Sequence, residues 1–146
     1  MNKIKVLFVC IHNSVRSQMA EALLQHHTSE LFLVDSAGLE PGDLNPLAIK
    51  AMQDINIDIS NKETNSVFDF LKEGRTYNYV ITVCDESNSE RCPLFPGNSQ
   101  RLHWSFDDPS ALTGSEEKKL KRIIEIRAQI KVKILEFIEK IKEDLT

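Results

Sequence analysis

Five residues separate Cys10 from Arg16, and a serine follows at once, in Cys10-Ile11-His12-Asn13-Ser14-Val15-Arg16-Ser17. A cysteine attacks as its thiolate, and a guanidinium offers a planar fork that holds two oxygens of a tetrahedral oxyanion, which an ammonium does poorly. The chemistry this spacing allows is nucleophilic attack on an oxyanion, with Cys10 as the nucleophile, Arg16 as the clamp and the Ser17 hydroxyl donating to the thiolate. Residues 11–15 would cradle the anion with backbone N–H groups at a helix N-terminus, where unpaired donors and the macrodipole favour negative charge and ease ionisation of the thiol. An isolated C-x5-R equally describes a buried strand-end cysteine and a solvated helix arginine. The flanking pattern decides for chemistry: the β-branched run Val6-Leu7-Phe8-Val9 stops at Cys10, and Met19, Ala22 and Leu23 then recur at helical spacing over Gln18 to His27, so the stretch reads as strand, phosphate-sized loop, helix.

The elements that must position this loop can be followed along the chain. Leu31 to Val34 predict a second strand ended by a turn at Asp35-Ser36-Ala37-Gly38. Asn45-Pro46 is an N-cap followed by proline at the first helical position, with Ala48, Ala51, Met52 and Ile55 forming one face. Within the polar stretch from Ser60 to Tyr77, Val67, Phe68, Phe70 and Leu71 suggest one short helix. Tyr79-Val80-Ile81-Thr82-Val83 reads as a central parallel strand covered on both faces, ending at Cys84. A long loop from Asp85 to Gln100, rich in Ser, Asn, Pro and Gly, carries Cys92. Arg101 to Phe106 predict the last strand, and Asp107-Asp108-Pro109 follow it. Thr113-Gly-Ser-Glu116 has the spacing of a capping box ahead of a long terminal helix, whose Leu120, Ile123, Ile130, Ile134, Phe137 and Ile141 are core packing. Alternating strands and helices predict an α/β fold, a doubly wound parallel sheet with its ligand site at the carboxyl ends of the strands, where Cys10 and Cys84 both fall. His26, His27, His103 and Trp104 carry no functional assignment.

Composition bounds the possibilities. The 146 residues fit one domain, 1–146, and a domain of this size buries roughly 70% of its unfolded surface. The net charge of −4 argues against nucleic-acid binding, yet the first 20 residues hold Lys3, Lys5 and Arg16 with no acid, which suits an anionic substrate. Three cysteines, at 10, 84 and 92, make no secreted disulfide framework. The apolar run after Lys5 is broken too early for a signal peptide, and no run approaches membrane-spanning length. The cytoplasm is the default, and a monomer is expected. A zinc site is disfavoured, since no C-x-x-C pair or matching histidine spacing occurs.

The phosphate loop, read as Cys10-Ile-His-Asn-Ser-Val-Arg16-Ser17-Gln-Met-Ala-Glu, resembles the signature of the low-molecular-weight protein tyrosine phosphatase superfamily, and within it the thioredoxin-coupled arsenate reductases. The resemblance implies a single-domain four-stranded parallel sheet of order 2-1-3-4, helices on both faces and a phosphate loop after strand 1, which makes the strands of Cys10 and Cys84 neighbours. It implies that Ile11, His12, Asn13, Ser14, Val15 and Arg16 bind the oxyanion, and it puts the general acid on Asp108, although two carboxylates before a proline also suit a plain turn. The phosphatases place aromatic residues after the Asp-Pro, whereas this chain has Ser110-Ala111-Leu112. The reductases carry two further cysteines, matched here by Cys84 and Cys92. By that likeness Cys10 attacks arsenate, Cys84 attacks the sulfur of the Cys10 adduct and releases arsenite, Cys92 attacks the Cys10–Cys84 disulfide, and thioredoxin reduces the final Cys84–Cys92 bridge.

This chain departs from the likeness at His12, where glycine is common, a change that offers the loop an added imidazole donor, and at Val15. No tightly bound cofactor is expected. Some relatives hold potassium beside the loop; Asn13, Glu21 and Ser36 match that site, but its aspartate is replaced around Asn65 or Ser66, and Asn13 fits better as a brace of the loop. Two other functions stay open on sequence: a phosphomonoesterase that uses only Cys10, Arg16 and Asp108, and a cysteine phosphocarrier that needs no acid.

Overall fold

A computed structural model describes residues 3–84, 90–109 and 112–145. The element order is β1 (Ile4–Cys10), α1 (Arg16–His27), β2 (Phe32–Gly38), α2 (Pro46–Gln53), α3 (Val67–Lys72), β3 (Tyr79–Thr82), β4 (Gln100–His103) and α4 (Glu116–Asp144). The strands form one sheet of order β2-β1-β3-β4, and every pairing is parallel. This is the expected doubly wound α/β arrangement, with β1 at its centre.

The burial of β1 explains its composition. Val6 through Cys10 are all buried, because successive side chains enter different apolar layers. Val6, Phe8 and Cys10 face the layer built with α1, α2 and α4, through Met19, Leu23, Ala51, Ile123, Ile130 and Phe137. Leu7 and Val9 face the other layer, with Val67 and Phe70 of α3 and with Tyr77, Cys92 and Phe95. Helices therefore cover both faces.

Several boundaries differ from the sequence reading; α2 ends at Gln53, short of Ile55, and β3 ends at Thr82, one residue short of Val83. The second strand does not end at Val34; β2 continues through Gly38, pairing from Ile4↔Phe32 to Cys10↔Gly38. The backbone ladder is indifferent to side-chain polarity, and Asp35 and Ser36 are tolerated because each has partners, Tyr77 and Arg75 for the first and Glu21 and Asn13 for the second. The last strand is shorter than predicted, β4 ending at His103, although the Trp104 N–H still donates to the Thr82 carbonyl. The cap of α4 is Ser115, whose hydroxyl accepts from the Lys118 N–H, and not Thr113. The other cap is as read: Asn45 accepts from the Leu47 N–H with Pro46 opening α2.

Candidate functional site

The loop between β1 and α1 is shaped by what its carbonyls do. The carbonyls of Cys10, Ile11, His12 and Ser14 accept from the N–H groups of Leu39, Glu40, Gly42 and Asn45 at 2.8–3.2 Å. In a trans peptide the next N–H points opposite to the carbonyl, so this lacing turns the following N–H groups toward the pocket. Gly38 makes the close approach possible: a Cβ there would lie 2.7 Å from the Ile11 carbonyl oxygen and 2.9 Å from the Asn13 nitrogen. At the start of α1, Val15 occupies the cap position with no side-chain hydrogen bond to the first turn. That leaves the helix N-terminus as an anion site.

Cys10 is 2% exposed, and two groups address its sulfur: the Asn13 N–H at 3.1 Å and the Ser17 hydroxyl at 2.9 Å. Ser17 Oγ accepts from Asn13 Nδ2 at 2.7 Å, and when Cys10 is a thiolate the 2.9 Å contact between the two side chains can run only from the hydroxyl to the sulfur. These are contacts that a thiolate at Cys10 would accept.

Asn13 is the brace. Its φ of 55° is left-handed, a conformation asparagine tolerates. Its Oδ1 accepts from the Asn65 backbone N–H at 2.9 Å and from Gln18 Nε2 at 3.2 Å, which fixes the amide orientation and directs Nδ2 to Ser17 and Ser36. At about 1 kcal/mol for each such bond, this one side chain anchors the loop more firmly than any surface ion pair here.

Arg16 is 4% exposed, with Nη1 donating to the Phe106 carbonyl at 3.2 Å and Nη2 lying 3.7 Å from Asp108 Oδ1. The two carboxylates before Pro109 are thereby told apart. Asp107 pairs with Arg122 of α4 and is mostly exposed, whereas Asp108 lines the pocket with Cys10, His12, Ser14, Val15, Arg16 and Pro109. His12 also turns its Nδ1 toward the Glu40 carbonyl, 2.9 Å away, so that nitrogen donates and the ring is tied to the segment beyond β2. A larger cleft of about 860 Å³, lined by Lys3, Tyr77, Asn78 and Pro96 among others, contains no cysteine.

The three thiols are all free and all buried. Since the Val83 N–H donates to the Val9 carbonyl, β3 delivers Cys84 beside the end of β1, in the same apolar layer as Cys10. Cys92 belongs to the opposite layer, beside Leu7, Val9 and Phe95. Burial pushes the Cys92 thiol up to about 11, with Arg101 opposing and Cys84 adding to the rise. Cys92 is thus held as a neutral thiol. The segment 85–89 between the two cysteines, and Ser110-Ala111 in the stretch that sequence contrasts with the phosphatases, lie outside the described residues.

Asn13, Glu21 and Ser36 do come together. Ser36 Oγ accepts from Asn13 Nδ2 and donates to Glu21 Oε1 at 2.6 Å. The group that sequence reasoning missed is Lys62, whose ammonium pairs with Glu21 Oε2. It stands in an irregular polar stretch with no periodicity to mark it. Gln18 was also missed; it reads as one more helix residue, yet it bridges Asn13 and the Glu63 carbonyl.

Among the described residues, no helix is long and apolar enough to cross a membrane. Residues 5–146 match the family model described as low molecular weight phosphotyrosine protein phosphatase. Arsenate reductases of Shouchella clausii and Bacillus subtilis are 38% and 39% identical to it over 140 and 139 residues, covering 95% and 94% of this chain and 98% and 96% of theirs. Among solved structures, an arsenate reductase in an oxidized state superposes with a TM-score of 0.77 at 30% identity, covering 94% of this chain and 98% of that one. A thioredoxin-dependent arsenate reductase of Corynebacterium glutamicum gives 0.72 at 28% identity, over 99% of this chain and 64% of that one. A tyrosine phosphatase of Erwinia amylovora, 14% identical with a TM-score of 0.76 over 95% of this chain and 93% of that one, shares the fold. With its phosphate loop, its sheet order and these likenesses, the chain belongs to the low molecular weight phosphotyrosine protein phosphatase family, on its arsenate reductase branch.

Proposed function

We propose that this protein reduces arsenate to arsenite by a relay of Cys10, Cys84 and Cys92, and that thioredoxin restores the thiols. The observation that carries the reading is the contrast between two of the sulfurs. Cys10 lies within hydrogen-bond reach of the Asn13 N–H and the Ser17 hydroxyl beside Arg16, while Cys92 is a buried neutral thiol on the far side of β1. A phosphatase needs only the first of them.

The Cys10 thiolate attacks arsenic in the oxyanion held by the N–H groups of 11–15 and by Arg16. Asp108 protonates the departing oxygen, which leaves as water, and an S–As bond forms. Cys84 then attacks the Cys10 sulfur as a thiolate. The electron pair of the S–As bond passes to arsenic, which leaves as arsenite, and a Cys10–Cys84 disulfide remains. Cys92, after losing its proton, attacks the Cys84 sulfur and frees Cys10. The Cys84–Cys92 bridge takes two electrons from the thioredoxin dithiol, so one arsenate consumes one dithiol. The relay needs no second copy of the chain, so a monomer suffices for it, and it suits the thiol-reducing cytoplasm.

The test is arsenate-dependent NADPH oxidation with thioredoxin and thioredoxin reductase. Steady turnover in the parent that is lost in both Cys84→Ser and Cys92→Ser supports the relay. Hydrolysis of p-nitrophenyl phosphate at equal rates by all three proteins, with no arsenate turnover, overturns it and leaves a phosphomonoesterase.

A further inference from the structure

Glu21 is 6% exposed, and a carboxylate so placed needs a counter-charge. Its Oε2 pairs with the Lys62 ammonium, and its Oε1 accepts from Ser36. From Ser36 a continuous line of hydrogen bonds runs through Asn13 Nδ2 to Ser17 Oγ and on to Cys10 Sγ. The charge of Lys62 is thus connected to the nucleophile through side chains that are buried at every step.

The same contacts test whether potassium fits here. A potassium ion needs several oxygen atoms with free lone pairs facing one point. Glu21 Oε2 is taken by the ammonium, Glu21 Oε1 and Ser36 Oγ each accept a hydrogen, and Asn13 turns its N–H groups inward while its Oδ1 accepts from Asn65 and Gln18. Asn65, near the position of the family's aspartate, spends its amide on the Ser36 carbonyl as a donor. Gln18 Oε1, buried without a hydrogen-bond partner among the described residues, adds a single acceptor, too few by itself to hold the ion. With the Lys62 ammonium on Glu21 Oε2 the donor set does not fit the ion, and only the loss of that ammonium would open the place to a cation.

We propose that the Lys62 ammonium is a built-in cation that stands where a potassium ion would otherwise sit, and that Lys62 is a positioning residue for Cys10, acting through Glu21, Ser36, Asn13 and Ser17. This rests on Cys10 being the attacking thiol. An external ion binds and leaves with its concentration, whereas a tethered one keeps the loop set at any salt composition.

The test uses the Cys84→Ser/Cys92→Ser protein, in which iodoacetamide alkylation reports on Cys10 alone, in choline chloride and in potassium or ammonium chloride at about 0.1 M each. With Lys62 present, the alkylation rate and the melting temperature are expected to be the same in all three salts. Lys62→Ala is expected to slow alkylation by about threefold or more in choline chloride, because Glu21 is left without its cation and the line to Ser17 loosens. Potassium or ammonium ions should then restore both the rate and the melting temperature, and Lys62→Arg should alkylate at the parent rate in choline chloride. A variant that was merely destabilised would not be rescued selectively by those cations. Parent-like alkylation of Lys62→Ala in choline chloride, or a potassium response while Lys62 is present, overturns the proposal. If the wild-type protein turns over no arsenate while this salt pattern holds, the reductase reading fails and the role of Lys62 stands.

Discussion

Replacing Gly38 by alanine probes how tightly the catalytic loop is laid on the end of β2. The added methyl carbon would meet three backbone atoms, the Ile11 oxygen at 2.7 Å and the His12 carbonyl carbon and Asn13 nitrogen at 2.9 Å. The first is about 0.7 Å inside ordinary contact, which begins at 3.4 Å, and backbone cannot rotate away as a side chain can. Two of the three atoms are already committed: the Ile11 oxygen accepts from Glu40 and the Asn13 N–H donates to Cys10 Sγ. Relief of the clash therefore moves a donor off the nucleophile. The expected loss of stability is about 1–3 kcal/mol, the usual cost of forcing a methyl group into a packed site. A displacement of that size at reacting groups lowers kcat/KM by about 10- to 100-fold. Urea unfolding and the thioredoxin-coupled arsenate assay measure the two effects. Gly42→Ala is the control, since a Cβ there meets His12 Cβ at 3.6 Å, an ordinary contact, and its stability should change by less than about 0.5 kcal/mol. A Gly38→Ala protein with parental stability and turnover would refute the close-approach argument.

Asp108→Asn should lower arsenate turnover by about 10²- to 10⁴-fold, whereas Asp107→Asn, which removes only an exposed pair with Arg122, should stay within about twofold. Cys92→Ser should release about one arsenite per protein molecule and stop, with peptide mapping finding a Cys10–Cys84 disulfide; continued turnover would remove Cys92 from the relay. Burial raises the Cys92 thiol from 9.0 to about 11, so the folded chain holds this proton more tightly than the unfolded chain does. The stability this contributes is complete below about pH 9 and is lost as the pH rises through about 11, amounting to about 2–3 kcal/mol. Urea midpoints between pH 8 and 11 should therefore fall more steeply for the parent than for Cys92→Ser, and parallel slopes would count against a buried neutral thiol.

The fold class, and the placing of a thiol and a guanidinium together on one loop, were legible in the chain because each depends on local pattern. A β-branched run, a cysteine, five residues, an arginine and an apolar helical stripe fix strand, loop and helix with no knowledge of what lies opposite. The continuation of β2 through Asp35 and Ser36 was not legible, since polar residues look like a turn until their partners Tyr77, Arg75 and Glu21 arrive from distant segments. For the same reason two adjacent aspartates could be separated by family likeness but not by local pattern. Arg122, from the far end of the chain, takes Asp107, and Arg16 takes Asp108.

Sequence by itself determined that a thiol and a guanidinium would stand on a loop at the end of a central parallel strand. Tertiary structure alone decided the state of each group there. A Cβ at Gly38 meets backbone only because the loop folds over it, Cys92 is neutral only because it is buried among residues of both β1 and its own loop, and Lys62 reaches Glu21 only because folding brings together residues 41 positions apart. Spacing along a chain fixes which groups a local segment presents. Desolvation and charge pairing depend on distance in space, and they arise only when remote segments pack together.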